Sequence, residues 1–433
     1  MRSKPYAAKR VNEVVVEEVV KGRNGQAVVV GVDVGKFELQ VVARWGEQDF
    51  ERPWRVVNPA GIPALVGVLR RLKEGRSLRV ALEPSGTYGD ALRQGLHDAG
   101  IETWRVSPKA SHDYAEVFDG VPSQHDGKDA AVVAELAATG KASIWRYQAP
   151  DAWEQELTYW VEWLEGQRRM LMLWVGRVEA LLARHWPEAT RVLRGSSGTL
   201  LRVLATYGGP AELAADAEAE ARLRRWGGKF LSATKAKDLL ACARTSVGVR
   251  AGEWERRQLQ DDAREARRAR QEMRRGQREL RRLAKGHEVL TALGRAVGVP
   301  TACVLWVSTG DPRPYDSGAA YRKALGLNLK ERSSGTHKGV LRISKRGHPR
   351  SRQWLYFAAL RLVQQGGVRR WYEAKKARDG QEGKRALVGV MRKLALALYR
   401  VAQGEPFVAS RLFPGKRRRP ASPVRSRTCA GSD

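Results

Sequence analysis

The stretch "QAVVVGVDVGKFELQVVARW", residues 26–45, decides how the first part of the chain is built. Two β-branched runs flank Gly35-Lys36, so the stretch predicts a β-hairpin. One residue does not suit an apolar strand. Asp33 interrupts "VVVGVDV", and a carboxylate there is costly unless it is paired or binds a metal. Working outward, "DFERPWRVV" predicts a third strand, and "PAGIPALVGVLRRLKEG" has the helical spacing Ile62, Leu65, Val68, Leu69, Leu72 before Gly75 stops it. "SLRVALEP" predicts a buried fourth strand ended by Pro84, "YGDALRQGLHDAG" a helix, "IETWRVSP" a fifth strand and "GKDAAVVAELAATG" another helix. Three leading strands followed by alternating helix and strand predict an α/β domain with a mixed sheet over residues 27–150. Residues 1–26 are mixed and charged and predict a disordered leader.

From Asp151 the pattern changes to heptads. Leu157, Leu164, Leu171 and Val178 fall seven apart, with Trp160, Trp174 and Leu181 in the second register and Gln167 as the exception. A thinner, Arg-rich seam follows at Leu259, Ala266, Met273 and Leu280, partnered by Ala269, Gly276 and Leu283. Residues 151–288 therefore predict a coiled-coil helical domain. The bland reading of its basic face is a solvated scaffold. The sharper one is a dimerisation arm that touches nucleic acid. Residues 289–405 predict a mostly α-helical third domain. It opens with a Gly-interrupted pair of short helices and closes with helices near Arg352–Gln364 and Lys384–Gln403. The Pro/Ser/Arg-rich residues 406–433 predict a basic disordered tail.

The chemistry-bearing residues are acids in a basic protein. Asp33 lies in the first strand, Glu83 ends the fourth, and Asp126 and Asp129 stand three apart on one helix. Together they could converge at the edge of a mixed sheet, where hard oxygen ligands suit Mg²⁺. Taken singly, Asp126 reads equally as a helix cap, Asp33 as a turn-flanking residue and Glu83 as the partner of an arginine. "LKERSSGTHKGVLRISKRGHPRSRQWL", residues 329–355, sets a Ser-Ser-Gly turn ahead of a cationic run. Residue chemistry leaves open whether this is a solvated loop or a hydroxyl held against a phosphate. In the second case Lys338, Arg342, Lys345, Arg346, Arg350 and Arg352 would position the strand and stabilise charge at phosphorus.

The totals point the same way. The 433 residues carry 78 Lys and Arg against 47 Asp and Glu, a net charge of +31, which implies a polyanionic partner. No run of 18 or more apolar residues exists to span a bilayer, so no membrane is expected. Cys242, Cys303 and Cys429 form no C-x-x-C pair, which argues against a zinc ribbon or a disulfide framework and for a reducing, cytoplasmic, nucleoid-associated location.

These motifs resemble those of the DEDD transposases of the insertion sequence 110 family, from about Val28 to Glu405. The resemblance rests on "GVDVGKFELQV", "ALEPSGTYGDALRQGL" with "GIETWRVSPKA", "HDGKDAAVVAELA", "VPTACVLWVSTGDPRPYDSGAAYRKALGLNLKERSSGTHKGVLRISKRG" and "GKRALVGVMRKLALALYRVAQG". "EPSGTY", "HDGKDA" and "GRAVGVP" depart from the family's commoner wording, but the acids and the Ser-Gly pair stand. The resemblance implies a RuvC-like, RNase H-type first domain with Asp33, Glu83, Asp126 and Asp129 as catalytic metal ligands. It implies a coiled-coil insertion and a C-terminal transposase domain whose nucleophile is Ser334, with Ser333 as the alternative. It further implies a homo-oligomer, a dimer or tetramer, that moves an insertion sequence under the guidance of a structured bridge RNA. DNA would be cut through a covalent phosphoserine. The competing expectations are a RuvC-like metal-dependent nuclease or junction resolvase that uses only the acids, and a non-catalytic nucleic-acid scaffold. Metal-dependent cleavage separates the first two from the third, and a covalent adduct separates the first from the second.

Overall fold

The computed structural model describes residues 8–47, 49–84, 86–118, 126–144, 150–331, 339 and 341–414, with Asp126 described by its backbone alone. The chain divides into two units, residues 1–150 and 151–433, taken here in turn.

The first unit is built on one mixed sheet. Its strands are β1 (Lys9–Arg10), β2 (Val28–Val34), β3 (Glu38–Trp45), β4 (Asp49–Phe50), β5 (Trp54–Val57), β6 (Leu78–Leu82), β7 (Thr103–Arg105) and β8 (Ser143–Ile144). They are ordered β1-β5-β3-β2-β6-β7-β8, with β4 beside β3. β2, β3 and β5 are antiparallel neighbours, whereas β6 runs parallel to β2 and β7 parallel to β6. This is the RuvC-like, RNase H-type arrangement. The β2–β3 hairpin turns at Gly35, whose N–H donates to the Glu38 carbonyl at 3.0 Å. A Cβ on Gly35 would stand only 2.6 Å from that oxygen.

Alternation along the strands divides the core in two. Val28, Val30, Val32 and Val34 pack on one face with Val80 and Leu82, beneath α1 (Ile62–Lys73) and α2 (Asp90–Asp98). The opposite face carries Val29, Val42 and Ala81. It is covered by α3 (Pro108–Phe118) and by α4 (Asp126–Ala138). Gly31 is what lets α4 lie so close: a Cβ there would meet the Ala130 carbonyl oxygen at 2.1 Å and the Ala134 nitrogen at 2.5 Å.

From residue 8 onward the expected disordered leader is corrected. β1 pairs with β5, and Val11 and Val16 are buried in the same core as α1. The valines of "VNEVVVEEVV" supply enough apolar surface to seal that edge. Such a pattern is too short to stand out from a mixed, charged segment.

The second unit is helical. α5 (Ala152–His185) and α8 (Glu253–Lys285) run antiparallel, and at 34 and 33 residues each spans about 50 Å. Their register is marked by the ion pairs Arg282–Glu156 and Arg177–Asp262. Each end has its own core. Residues 186–252 fold into short helices, among them α6 (Gly198–Tyr207) and α7 (Ala233–Arg244), around Trp186, Leu200, Leu204 and Leu239. At the other end Leu157, Trp160, Leu164 and Leu280 join the helices that follow α8. These include α9 (Glu288–Val297) and α10 (Val299–Thr309), separated at Gly298, then α11 (Gly318–Ala324), α12 (Pro349–Leu362), α13 (Gly366–Arg378) and α14 (Gly383–Ala402). A small antiparallel ladder, β9 (Leu329–Lys330) with β10 (Arg342–Ile343), lies between α11 and α12 in sequence.

Between the two cores the seam thins. Leu171 and Trp174 are only half-buried, while Met172 and Leu173 are 65% and 53% exposed. The expectation of a disordered tail from residue 406 is also corrected, because a last helical turn, Ala409–Leu412, delivers Phe413 into the core against Trp371. A single large ring outweighs the basic composition around it. Residues 415–433 lie outside the described residues.

Candidate active site

Two of the four acids stand side by side. Val32 of β2 is in register with Leu82 of the parallel strand β6, so Asp33 and Glu83 leave adjacent strands at the same level. The strand alternation that places Gly31 and Ala81 under α3 and α4 puts Asp33 and Glu83 on that same face. Helix α4 starts at Asp126 and brings Asp129 next to Ala130, the residue that touches Gly31. Asp33, Glu83 and Asp129 are each partly exposed, as a ligand-binding carboxylate needs to be.

Two polar residues at this edge were not singled out in the sequence. Gln40 pairs in register with Asp33, is 9% exposed, and its Oε1 has no hydrogen-bond donor among the described residues. Lys128 is 2% exposed between Asp126 and Asp129. Neither Lys128 nor the acids Asp33 and Asp129 is without a partner. The signal for Gln40 was available: it is the one amide in the apolar run "LQVVA". The signal for Lys128 was not, since a lysine on an Ala-rich helix reads as solvated.

Among the described residues no three His, Cys, Asp or Glu side chains lie close enough to hold a metal ion, and the Asp126 carboxylate is not in that set. The donor chemistry nevertheless fits a hard divalent cation. Carboxylates from β2, the end of β6 and α4 share one face, and a buried amide oxygen beside Asp33 has no donor among the described residues.

The cationic segment of the second unit is also sorted by the structure. Ser333, Ser334 and Lys338 lie outside the described residues. Arg342 and Lys345 line an open groove of about 1620 Å³, and Arg346 is exposed beside them. Arg350 instead grips Glu162 of α5 in a two-pronged contact of 2.5 and 3.0 Å. Arg352 donates to the Gly347 carbonyl at 2.8 Å, and burial draws its pKa down from the ordinary arginine value. These two arginines hold α12 to its surroundings. Burial, together with Arg350 and Arg352, likewise pulls the His348 pKa below the usual histidine range.

Two family models match the chain. A family model described as the transposase IS116/IS110/IS902 family matches residues 295–373. A second transposase model, that of the DEDD enzymes of the IS110 group, matches residues 30–187. Between them they take in more than half of the chain. No curated protein matches it. Among solved structures, that of Thermus thermophilus RuvC is 21% identical, covering 27% of this chain and 99% of that one with a TM-score of 0.22. T. thermophilus RuvC in complex with a Holliday junction substrate is 18% identical, covering 28% and 99%, with a TM-score of 0.20. One matched segment holds Asp33, Glu83, Asp126 and Asp129, and the other holds Ser334 and the cations that follow it. This chain belongs to the IS110 family of DEDD transposases, enzymes that act on DNA.

Proposed function

We propose that the chain moves an insertion sequence by cutting DNA with Ser334 as nucleophile, while Asp33, Glu83, Asp126 and Asp129 hold Mg²⁺. The observation that carries this reading is the level placement of Asp33 and Glu83 on adjacent parallel strands, on the face that α4 covers. The Ser334 oxygen attacks a backbone phosphorus, a phosphorus–oxygen bond to one sugar breaks, and that oxygen leaves as a hydroxyl after taking a proton. The serine phosphodiester keeps the energy of the broken bond. A hydroxyl of a second strand can then reverse the step, releasing the serine and joining a new partner. The cation, when bound, would neutralise charge on the phosphate and acidify the attacking hydroxyl. The protein's own part is to aim the hydroxyl, with Arg342, Lys345 and Arg346 supporting the phosphate oxygens.

A structured RNA is the guide in this reading, carried by the Arg-rich α8. The crowding of Arg267 with Arg202 and of Arg270 with Arg274 supports it; burial first, and each neighbour second, lowers their pKa values. A second copy of the chain covers the apolar stretch Met170–Leu173 of α5 in a dimer or tetramer.

The deciding experiment traps a reaction under denaturing conditions and maps the DNA-linked peptide by mass spectrometry. An adduct on Ser334 is expected, and one on Ser333 moves the assignment by one residue. Free-ended products that Ser334→Ala still makes would leave an acid-only nuclease.

A further inference from the structure

The groove that Arg342 and Lys345 line has a second wall, whose cations the sequence analysis gave no role. It is made by α13 and α14, with Lys384 and Arg385 exposed at the rim and Arg392 two turns further along α14. Its lining holds seven Lys and Arg against three Asp and Glu. One of the acids, Asp379, is already paired with Lys375. None of Arg342, Lys345, Lys384, Arg385 and Arg392 has an acid partner among the described residues.

The floor is the unusual part. Arg392 is only partly exposed, and Arg322 of α11 lies beside it. The two helices are in close contact, since a Cβ on Gly318 would stand 3.2 Å from both Leu396 and Tyr399. Burial first, and the Arg322 charge second, pull the Arg392 pKa below the ordinary arginine value. The Nε atoms of both arginines are buried without a hydrogen-bond acceptor among the described residues. Two like charges, part-desolvated and short of acceptors, destabilise the free protein. A phosphate group supplies what is missing, namely negative charge and acceptor oxygens in the planar spacing that guanidinium recognises. A helix surface meant only for solvent would have no reason to bury such a pair.

We infer that this groove seats the phosphodiester backbone of a DNA strand, with Arg392, supported by Arg322, as the phosphate contact on its floor and Lys384 and Arg385 as contacts at its rim. The inference rests on the reading that DNA is the substrate. It adds residues from α11 and α14, none of which lies in the serine segment.

The test measures binding of a fluorescein-labelled oligodeoxynucleotide to the full chain, as single strand and as duplex, over a range of salt. RNA of the same sequence serves as competitor. A chelator is present throughout, so that binding is read independently of cleavage. Arg392→Gln should weaken DNA binding about tenfold and reduce the slope of log K against log salt by about one, the value for one lost phosphate contact. Arg392→Lys should restore the slope. Lys384→Gln with Arg385→Gln, at an exposed rim where folding is not at stake, should reduce it by about two. Arg369→Gln, exposed on α13 outside the groove, removes the same charge and should leave the slope unchanged. Without DNA, Arg392→Gln should melt no lower than the parent, because it relieves a like-charge contact.

Unchanged slopes in the Arg392 and rim variants would overturn the inference. So would a melting temperature that falls in step with affinity, or a slope change seen with RNA alone. If the parent chain never forms a covalent adduct, the proposed nucleophile fails, yet these slopes still report on the groove.

Discussion

The two units solve opposite electrostatic problems. In the sheet unit, carboxylates gather on one face at the ends of apolar strands, and the backbone register sets their spacing. In the helical unit, cations gather in a groove whose walls come from helices and a short ladder far apart in the sequence. The first arrangement is stiff: Asp33 and Glu83 stay level as long as β2 and β6 stay paired. The second depends on how helices pack, so its charges are placed by helices that meet from distant parts of the sequence, as where Gly318 approaches Leu396. A site for a small hard cation calls for the first kind of precision. A surface for a polymer needs only many moderately placed contacts.

The sharpest way to break this contrast is to neutralise the acids. Asp33→Asn, Glu83→Gln and Asp129→Asn should each reduce strand cleavage at least about a thousandfold, as expected for members of one catalytic unit, with the circular dichroism spectrum and DNA affinity retained. Chelation should match them. If Asp129→Asn cleaves normally and only melts earlier, Asp129 is part of the helix and not of the site.

The stiffness of the sheet unit can be challenged directly at Gly31. Gly31→Val should destabilise that unit by about 3 kcal/mol or more, because the helix backbone cannot retreat from 2.1 Å without leaving the sheet. Urea unfolding followed through the sheet unit should show it, whereas Gly67→Ala on exposed backbone of α1 should be neutral or mildly stabilising.

In the helical unit the matching test is Phe413→Ala, expected to cost about 3 kcal/mol. Removal of residues 415–433 should leave the melting temperature unchanged. If both have the same effect, the ring is not anchoring the end of the chain.

The smallest effect concerns pH. Burial lowers the His287 pKa, opposed by Asp311 and assisted by Arg313, and the ring stacks on Trp153 at 4.9 Å. The folded state therefore holds this proton less tightly than the unfolded chain. Its contribution is complete above about pH 6.5, the unperturbed value, and is lost as pH falls through that value towards the lower folded pKa. The melting temperature of His287→Phe should vary less with pH than that of the parent over this window.

What was legible in the sequence follows the same division. The hairpin of residues 28–45 declared itself because strand alternation and Gly35 are local signals. The acids stood out because a charge in an apolar strand is anomalous wherever the strand lies. The long helix pair was legible from its heptads, though these do not show that the seam loosens around Leu171. Much of the rest was not local. The helices of residues 186–252 are short and lack a sustained period, α13 is weakly amphipathic, and Phe413 sits in a segment whose composition says disorder. Arg322 and Arg392 become neighbours only when α11 meets α14. Gln40 was readable in principle, since an amide among valines carries the same anomaly as Asp33.

The antiparallel pair α5–α8 acts as a ruler. It carries a separate core at each end, and its register is marked by contacts such as Arg177–Asp262 at 3.1 Å and Arg282–Glu156. Seven residues added to both helices at matched positions would move the distal core outward by about 10 Å and leave it facing nearly the same way. Four added to both would move it about 6 Å and swing it by roughly 40°. Length and orientation can thus be varied almost independently in this molecule, and whatever the distal core meets is sought at a fixed distance and a fixed angle.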